Sequence, residues 1–157
     1  MKVSIITVVL NNKETVKDAI LSVGSQDYHD IEHIVIDGKS MDGTRSIIDK
    51  YRDKLAIVIS ERDNGIYDAM NKGLRLASGE IIGFLNSDDL YANKNVISDV
   101  VSILDNMKVD AVFGDLVFIT SKDLNHIVHY DQSKNFNPKS LYAGIMPAHP
   151  TLFLRKA

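Results

Sequence analysis

The chain has 157 residues, of which 45% are apolar and 25% charged, and its formal net charge is −3 at pH 7. This length suits one domain with a substantial core, and an acidic balance without a basic run argues against a nucleic-acid partner. Because the chain contains no cysteine, disulfides, thiolate catalysis and thiolate metal sites are excluded.

Apolar runs of strand length alternate with helical patterns through the first two thirds of the chain. The run 3–10 is rich in β-branched residues and almost wholly apolar, which predicts a buried parallel strand, and Asn11 or Asn12 then offers a helix cap. The predicted strands are 3–10, 31–37, 55–60 and 80–85, and the predicted helices are 16–23, 42–53, 66–77 and 95–107. This alternation predicts an α/β fold with a mostly parallel sheet.

The pattern changes after Asp110. Residues 111–120 and 127–130 are strand-like with no helix between them, so we expect a hairpin or a mixed sheet there. The chain stops at 153–157, directly after another apolar run. We therefore expect a single domain over 1–157 that has been cut from a longer protein.

The stretch 84–89, Phe-Leu-Asn-Ser-Asp-Asp, ends a predicted buried strand in two adjacent carboxylates. Ligands of α/β sheets collect at the carboxyl ends of strands. Two neighbouring ionised carboxylates repel each other, so a cation at Asp88 and Asp89 would explain the pair, and hard oxygen ligands suit Mg²⁺ or Mn²⁺ holding a substrate phosphate. The alternative is that Ser87 or Asp89 caps the following helix.

Asp37 stands at the tip of the second predicted strand, before Gly38. Its carboxylate could accept hydrogen bonds from a nucleobase or a ribose, or it could cap the turn at 40–44. The chain has neither G-x-G-x-x-G nor G-x-x-x-x-G-K-[ST], which argues against a dinucleotide enzyme and a P-loop NTPase. A bound phosphate would then need a metal ion at Asp88 with Arg62 or Lys72.

A second dense polar patch covers 62–73. Asn64 and Gly65 mark a tight turn, and the helix that follows begins with a positive dipole end that favours phosphate. Asp68, Asn71 and Lys72 would lie within about one turn of each other. The alternative is a solvated helix face with a capped N-terminus.

The patterns at 3–8, 37–44, 63–73 and 79–89 occur in an order that resembles family 2 glycosyltransferases, and Gly114-Asp115 and the segment 149–155 also match. The similarity is greatest to the bacterial enzymes that build O-antigen, capsule or exopolysaccharide. The resemblance implies a GT-A fold, which is a Rossmann-like, mostly parallel sheet with helices on both faces and mixed strands toward the C-terminus. It also implies an inverting transfer of sugar from a nucleoside diphosphate sugar to a saccharide or lipid-linked acceptor, with Mn²⁺ or Mg²⁺.

The resemblance carries roles onto particular residues. Asp88 and Asp89 would hold the metal ion, and Asn86 stands where many relatives have the first aspartate of a D-x-D motif. The residues implied to contact the nucleotide sugar are Thr7, Val9, Asn11, Asp37, Arg62, Asn64, Gly65, Lys72, Asn86 and Asp88. The catalytic base would lie beyond Ala157, with Asp115 and His149 as candidates inside the chain, so we expect donor binding with little turnover.

A different hypothesis is a non-catalytic module that binds a nucleotide or a protein partner. It predicts that UDP or GDP binding is absent or insensitive to Asp88→Ala. Receiver domains and haloacid-dehalogenase-like phosphatases need acidic residues after the first strand, where this chain has Asn11 and Asn12. We expect a cytoplasmic protein, and peripheral association with the inner face of the membrane and a homodimer both stay open.

Overall fold

The computed structural model describes residues 1–120 and 123–156. The helices are α1 (Val16–Gly24), α2 (Thr44–Lys50), α3 (Ile66–Leu76) and α4 (Val96–Met107). The strands are β1 (Val3–Val9), β2 (Ile31–Asp37), β3 (Ile57–Ser60), β4 (Ile81–Phe84), β5 (Ala111–Val112), β6 (Leu116–Thr120), β7 (Asp123–Asp131) and β8 (Phe153–Arg155). Short 3-10 turns lie at Arg52–Lys54, Ser133–Asn135, Pro138–Ala143 and His149–Thr151.

The main sheet has the strand order β3-β2-β1-β4-β8-β5. Strands β1 to β4 pair in parallel, whereas β8 runs antiparallel to both β4 and β5. A separate two-stranded antiparallel sheet joins β6 to β7. The predicted mostly parallel α/β sheet, with mixed strands toward the C-terminus, is therefore confirmed.

Helices cover both faces of this sheet. Alternate side chains of β1 point to opposite sides, so that Ile5 packs with α1 and α4 whereas Ile6 packs with α3. Val9 lies on the same face as Ile5, in a cluster with α1 and α2. All seven residues of β1 are buried, which explains why its sequence is almost wholly apolar.

Some predicted boundaries are wrong. The run 111–120 is not one strand, because β5 pairs with β8 in the main sheet and β6 pairs with β7 outside it. The predicted helix 42–53 ends at Lys50 and is followed by a separate 3-10 turn. In α4 the buried side chains are Ile97, Val100 and Leu104.

The expected caps are also wrong. Helix α1 has Thr15 as its N-cap, without a side-chain hydrogen bond, because Asn11 and Asn12 bond to other loops. Helix α4 has Asn95 as its N-cap, so neither Ser87 nor Asp89 caps it. Within the described residues, no helix has the length and apolar character needed to cross a bilayer.

Candidate functional site

The loops that follow the four parallel strands meet at one edge of the sheet. Val9 lies opposite Asp37 in the register of β1 and β2, and Asp37 lies opposite Ser60 of β3. On the other side of β1, Ile6 lies opposite Phe84 at the end of β4. The predicted convergence of strand ends is therefore present, and it brings together loops 10–15, 38–43, 61–65 and 85–95.

Hydrogen bonds tie the loop after β1 to its neighbours on both sides. Asn12 Nδ2 donates to Ser87 Oγ at 2.9 Å, and Thr15 Oγ1 donates to the carbonyl of Ser87 at 2.7 Å. On the other side, the backbone N–H of Asn11 donates to Ser40 Oγ at 2.7 Å. The buried Ser87 thus connects the loop after β4 to the loop after β1. The sequence suggested Ser87 only as a helix cap.

Asn11 itself holds the loop after β2. Its φ angle is +50°, and its side-chain oxygen accepts a hydrogen bond from the backbone N–H of Met41 at 2.8 Å. The side-chain oxygen of Asn11 therefore positions the loop after β2, and its expected contact with a nucleotide stays a prediction.

Asp37 is fully buried, in contrast to its expected place as an open ligand contact. Its Oδ1 accepts from the backbone N–H of Ser40 at 3.0 Å, and its Oδ2 accepts from Ser60 Oγ at 2.5 Å. The carboxylate therefore braces the ends of β2 and β3. This corresponds to the turn-capping alternative.

Thr7 and Val9 also lie beneath the surface. Thr7 is fully buried, and its hydroxyl pairs with Nε2 of His33 at 3.0 Å. Burial lowers the pKa of His33 to about 3, so this pair is neutral at physiological pH. Val9 packs in the core, and its carbonyl accepts from Gly38 at 2.9 Å. The side chains of Thr7 and Val9 therefore lie within the sheet, and their expected contact with a nucleotide stays a prediction.

Lys72 braces the loop after β3. Its ammonium lies 3.0 Å from Glu61 Oε1 and 3.6 Å from Asp68 Oδ2, and it donates to the carbonyl of Arg62 at 2.7 Å. The hydrogen bond with Glu61 raises the pKa of Lys72. Arg62 itself is exposed and has no ion pair within the described residues, so it is the cation of this patch that a ligand can reach.

The N-terminus of α3 already carries carboxylates. Asp68 Oδ2 accepts from the backbone N–H of Asn64 at 3.0 Å, and Asp63 Oδ1 accepts from that of Gly65 at 3.0 Å. Gly65 has a φ angle of +111°, a conformation that favours glycine. These two N–H groups are therefore occupied by protein carboxylates. They precede the helix, whose N-cap residue Gly65 makes no side-chain cap hydrogen bond.

Asn86 joins the loop after β4 to the segment before β8. Its Nδ2 donates to Nε2 of His149 at 2.8 Å, whereas its Oδ1 is buried without a hydrogen-bond partner. Burial, and then the charge of Asp88, raise the pKa of Asp89. Asp88 is exposed. The structure thus brings together four predicted site residues, Asn86, Asp88, Asp89 and His149.

These residues fit a divalent ion whose coordination would be completed by substrate oxygens. Within residues 1–120 and 123–156, no group of three or more His, Asp and Glu side chains is placed to hold a metal ion. Mg²⁺ is commonly held by one or two carboxylates together with substrate phosphates. The exposed carboxylate of Asp88, the repelled carboxylate of Asp89 and the unpartnered oxygen of Asn86 are hard donors of that kind.

A cleft of about 960 Å³ opens beside this loop. Asp88 and Asp89 line one side, and apolar side chains of the β6–β7 hairpin line another, among them Val117, Phe118 and Ile127. This volume is in the range of small-molecule sites, which combine apolar walls with a few polar groups. The cleft can therefore hold a ligand against the two carboxylates.

Asp115 also lines the cleft, but it is committed to the hairpin. Its carboxylate accepts from the hydroxyl of Tyr130 and from Ser133 Oγ (2.7 Å) and N–H (2.8 Å). These bonds, with that of Tyr130 the largest, lower the pKa of Asp115 to about 2. A general base works best when its pKa is near the operating pH, so Asp115 is poorly suited to that role.

Comparison with known proteins identifies the family. The family model described as Glycosyl transferase family 2 matches residues 4–156. An uncharacterized glycosyltransferase of Mycobacterium tuberculosis is 39% identical over 103 residues, which are 65% of this chain and 39% of that protein. TarS of Staphylococcus aureus, a poly(ribitol-phosphate) beta-N-acetylglucosaminyltransferase, is 32% identical over 130 residues, which are 80% of this chain and 22% of TarS.

Solved structures share the fold. TarS 1–349 in complex with UDP-GlcNAc matches with a TM-score of 0.78 and 25% identity over 99% of this chain and 45% of that one. The mannosyltransferase PcManGT from Pyrobaculum calidifontis, in complex with GDP-Man and Mn²⁺, matches with a TM-score of 0.66 and 26% identity over 78% of this chain and 37% of that one. The chain spans less than half the length of these relatives. Because the family model covers nearly all of the chain and the sheet matches these structures, the chain belongs to glycosyl transferase family 2 and has the GT-A fold.

Proposed function

We propose that this chain forms the donor-binding part of an inverting glycosyltransferase that acts in cell-surface polysaccharide synthesis. It would take a sugar from a nucleoside diphosphate sugar for a saccharide or lipid-linked acceptor. The observation that carries the proposal is the loop 86–89, whose two carboxylates line a cleft of about 960 Å³ and whose Asn86 has a buried amide oxygen without a hydrogen-bond partner. Structures of relatives with UDP-GlcNAc and with GDP-Man support this choice of donor.

Asp88 and Asp89 are the residues that would hold Mn²⁺ or Mg²⁺. Such an ion would neutralise the negative charge that collects on the departing diphosphate. The chain supplies a further cation in Arg62, which is exposed at the same edge of the sheet. A fixed positive group near a leaving diphosphate stabilises the charge that develops in the transition state.

The braces around Ser87 and Asp37 give this site its rigidity. They fix the loop after β1 to the loop after β4, and the end of β2 to its own loop and to β3, through hydrogen bonds of 2.5 to 3.0 Å. Because a preorganised site loses less conformational freedom when a ligand binds, the buried polar groups contribute to donor binding without contacting the donor.

The base that activates the acceptor is not assigned to either candidate. Hydrogen bonds from Tyr130 and Ser133 lower the pKa of Asp115 well below the range in which a general base works. The Nε2 atom of His149 accepts a hydrogen bond from Asn86. We therefore propose that residues 1–157 bind the donor and turn it over poorly. Full transferase activity of this chain alone would contradict that part of the proposal.

Thermal unfolding with UDP, GDP and dTDP, each with and without Mn²⁺, tests the proposal. A ligand at about 100 times its Kd adds about 2.7 kcal/mol to the free energy of unfolding, so one nucleotide should raise Tm clearly, and more so with Mn²⁺. Asp88→Ala should remove the Mn²⁺-dependent part of the rise in Tm. Asp53 is an exposed carboxylate in the 3-10 turn Arg52–Lys54, and Asp53→Ala should leave that part unchanged. Absence of any nucleotide effect, or insensitivity to Asp88→Ala, would favour the non-catalytic module.

A further inference from the structure

The cleft beside the loop 86–89 carries negative charge and no positive side chain. Four carboxylates line it, namely Asp88 and Asp89 in the loop, Asp99 in the first turn of α4, and Asp115 before β6. None of the lining residues that the structure describes is lysine, arginine or histidine. Most of the others are apolar, so water screens charges in this cleft less well than at an open surface.

A metal ion would not cancel all of this charge. A divalent ion at Asp88 and Asp89 would balance those two carboxylates and leave Asp99 and Asp115. Asp99 is exposed and makes no ion pair within residues 1–120 and 123–156. Its full negative charge exceeds the positive charge of about one half at the N-terminus of α4, so this wall of the cleft stays negative.

Asp115 also keeps its charge, although its carboxylate has hydrogen-bond partners. The donors from Tyr130 and Ser133 are neutral, so they stabilise the carboxylate without cancelling its charge. The charge of Lys134 also lowers the pKa of Asp115, but Lys134 does not line the cleft. A ligand in the cleft therefore meets one negative charge on α4 and another before β6.

The same cleft contains an uncharged hydroxyl group without a partner. Tyr91 lines the cleft, and its hydroxyl is buried with no hydrogen-bond partner within the described residues. Its ring stacks on that of Phe153, with 6.3 Å between the ring centres, and this contact holds the ring in place. A ligand that brings its own hydroxyl groups can satisfy such a buried polar group.

We infer that the sugar of the donor carries no negative charge, as in a hexose or an N-acetylhexosamine, and that the cleft excludes uronic acids. The sugar is bonded directly to the diphosphate that an ion at Asp88 and Asp89 would hold, so it would occupy the cleft beside them. There Asp99 and Asp115 repel a carboxylate on the sugar. This inference rests on the proposed function, because it assumes that a nucleoside diphosphate sugar binds at this loop.

Matched pairs of donors test the inference. UDP-glucose and UDP-glucuronate differ only at C6, where a carboxylate replaces the hydroxymethyl group, and so do GDP-mannose and GDP-mannuronate, and dTDP-glucose and dTDP-glucuronate. Calorimetry with Mn²⁺ measures both affinities in the pair whose nucleotide binds. The unchanged protein should bind the hexose donor about tenfold or more tightly than the uronate donor.

Charge variants on α4 separate repulsion from shape. Asp99→Asn removes one repelling charge and keeps nearly the same shape, so it should reduce the preference for the hexose donor about threefold or more, and Asp99→Lys should reduce it further. Asp105→Asn is the matched control, because Asp105 is an exposed carboxylate of the same helix that does not line the cleft. It should leave the preference unchanged. Unfolding temperatures of the three variants confirm that they fold.

The outcomes distinguish the inference from the function on which it rests. If UDP, GDP and dTDP all fail to bind, the proposed function fails and the inference fails with it. If the hexose and uronate donors of the bound nucleotide have equal affinities, the inference fails while the proposed function stands. A preference that Asp99→Asn and Asp99→Lys leave unchanged would come from shape, and it would also overturn the inference. A preference that shrinks in these two variants and not in Asp105→Asn supports it.

Discussion

Asn86 Nδ2 donates to His149 Nε2 across 2.8 Å, and this bond links the loop that carries Asp88 and Asp89 to the segment before β8. The strands behind the two residues are antiparallel neighbours, with Gly83 opposite Phe153. An amide nitrogen only donates, so Nε2 is the acceptor in this pair. His149, which precedes β8, thus positions the loop 86–89 that carries the proposed metal ligands Asp88 and Asp89.

His149→Ala should weaken the Mn²⁺-dependent part of nucleotide binding. Because a typical hydrogen bond contributes about 0.5–1.5 kcal/mol, we expect a loss of up to about tenfold with Mn²⁺ and little change without it, measured by calorimetry. His29→Ala, an exposed histidine before β2, is the control. An equal loss with and without Mn²⁺ would show that His149 does not act through the metal loop.

Gly73→Ala should destabilise the fold. A Cβ on Gly73 would overlap Ile6 Cγ2 on β1 and crowd Ile36, because α3 packs directly on the sheet at this point. Overpacking of this kind costs about 1–3 kcal/mol, and alanine brings a gain of about 1 kcal/mol to a helix interior, so the net loss should be up to about 2 kcal/mol. Denaturation in urea measures the change.

Gly24→Ala is the matched control for that prediction. Gly24 also belongs to a helix, but its Cβ would meet only the Lys54 side chain at an ordinary 3.7 Å. It should therefore be neutral or slightly stabilising. A Gly73→Ala protein as stable as Gly24→Ala would show that α3 can move away from β1.

The sequence predicts the sheet well because the relevant signals are local. Burial of β1 on both faces follows from its continuous apolar run, and alternation of strands and helices requires parallel pairing. The carboxyl ends of β1, β2 and β4 therefore meet at one edge of the sheet, and the sequence predicts that Asp88 and Asp89 lie at this edge.

The roles of Ser87 and Lys72 could not be predicted in this way. Each depends on a partner that is distant in sequence, as in the bond of Asn12 to Ser87. The sequence does carry one signal of such distant bonds: Glu32 and His33 interrupt the apolar strand β2, and polar side chains in a buried strand need partners.

His33 should make the protein less stable in mild acid. Burial lowers its pKa from 6.5 to about 3 in the folded state, so the unfolded chain binds a proton at His33 over this range and the folded protein does not. The free energy of unfolding should fall by up to about 1.4 kcal/mol per pH unit below pH 6.5. His33→Gln should reduce this slope in urea denaturation at pH 7, 6 and 5, whereas His29→Gln should leave it unchanged.

Glu32 should contribute stability that disappears in stronger acid. Burial alone would raise the pKa of Glu32, but donors from Ser4, Ser78 and Lys2 outweigh it and lower the pKa from 4.5 to about 2. The contribution is therefore complete above pH 4.5 and is lost as the pH falls toward 2. Glu32→Gln should cost roughly 2–3 kcal/mol at pH 7.

That cost should shrink as the pH falls from 4.5. Glu14→Gln, an exposed glutamate whose nearest cation is 3.9 Å away, should change stability little at any pH. A Glu32→Gln penalty that stays constant down to pH 2.5 would mean that the four hydrogen bonds to this side chain do not depend on its charge.

Lys72→Met should weaken the binding of a nucleoside and of its diphosphate by the same factor. Its ammonium is engaged by Glu61, Asp68 and the carbonyl of Arg62, so its loss should loosen the loop 61–65 and weaken both uridine and UDP, or guanosine and GDP if that carrier is preferred. A residue that contacted the diphosphate would instead weaken only the nucleotide. Lys50→Met, at the exposed end of α2, controls for the lost charge. A loss of nucleotide binding without a loss of nucleoside binding in Lys72→Met would instead support Lys72 as a phosphate contact.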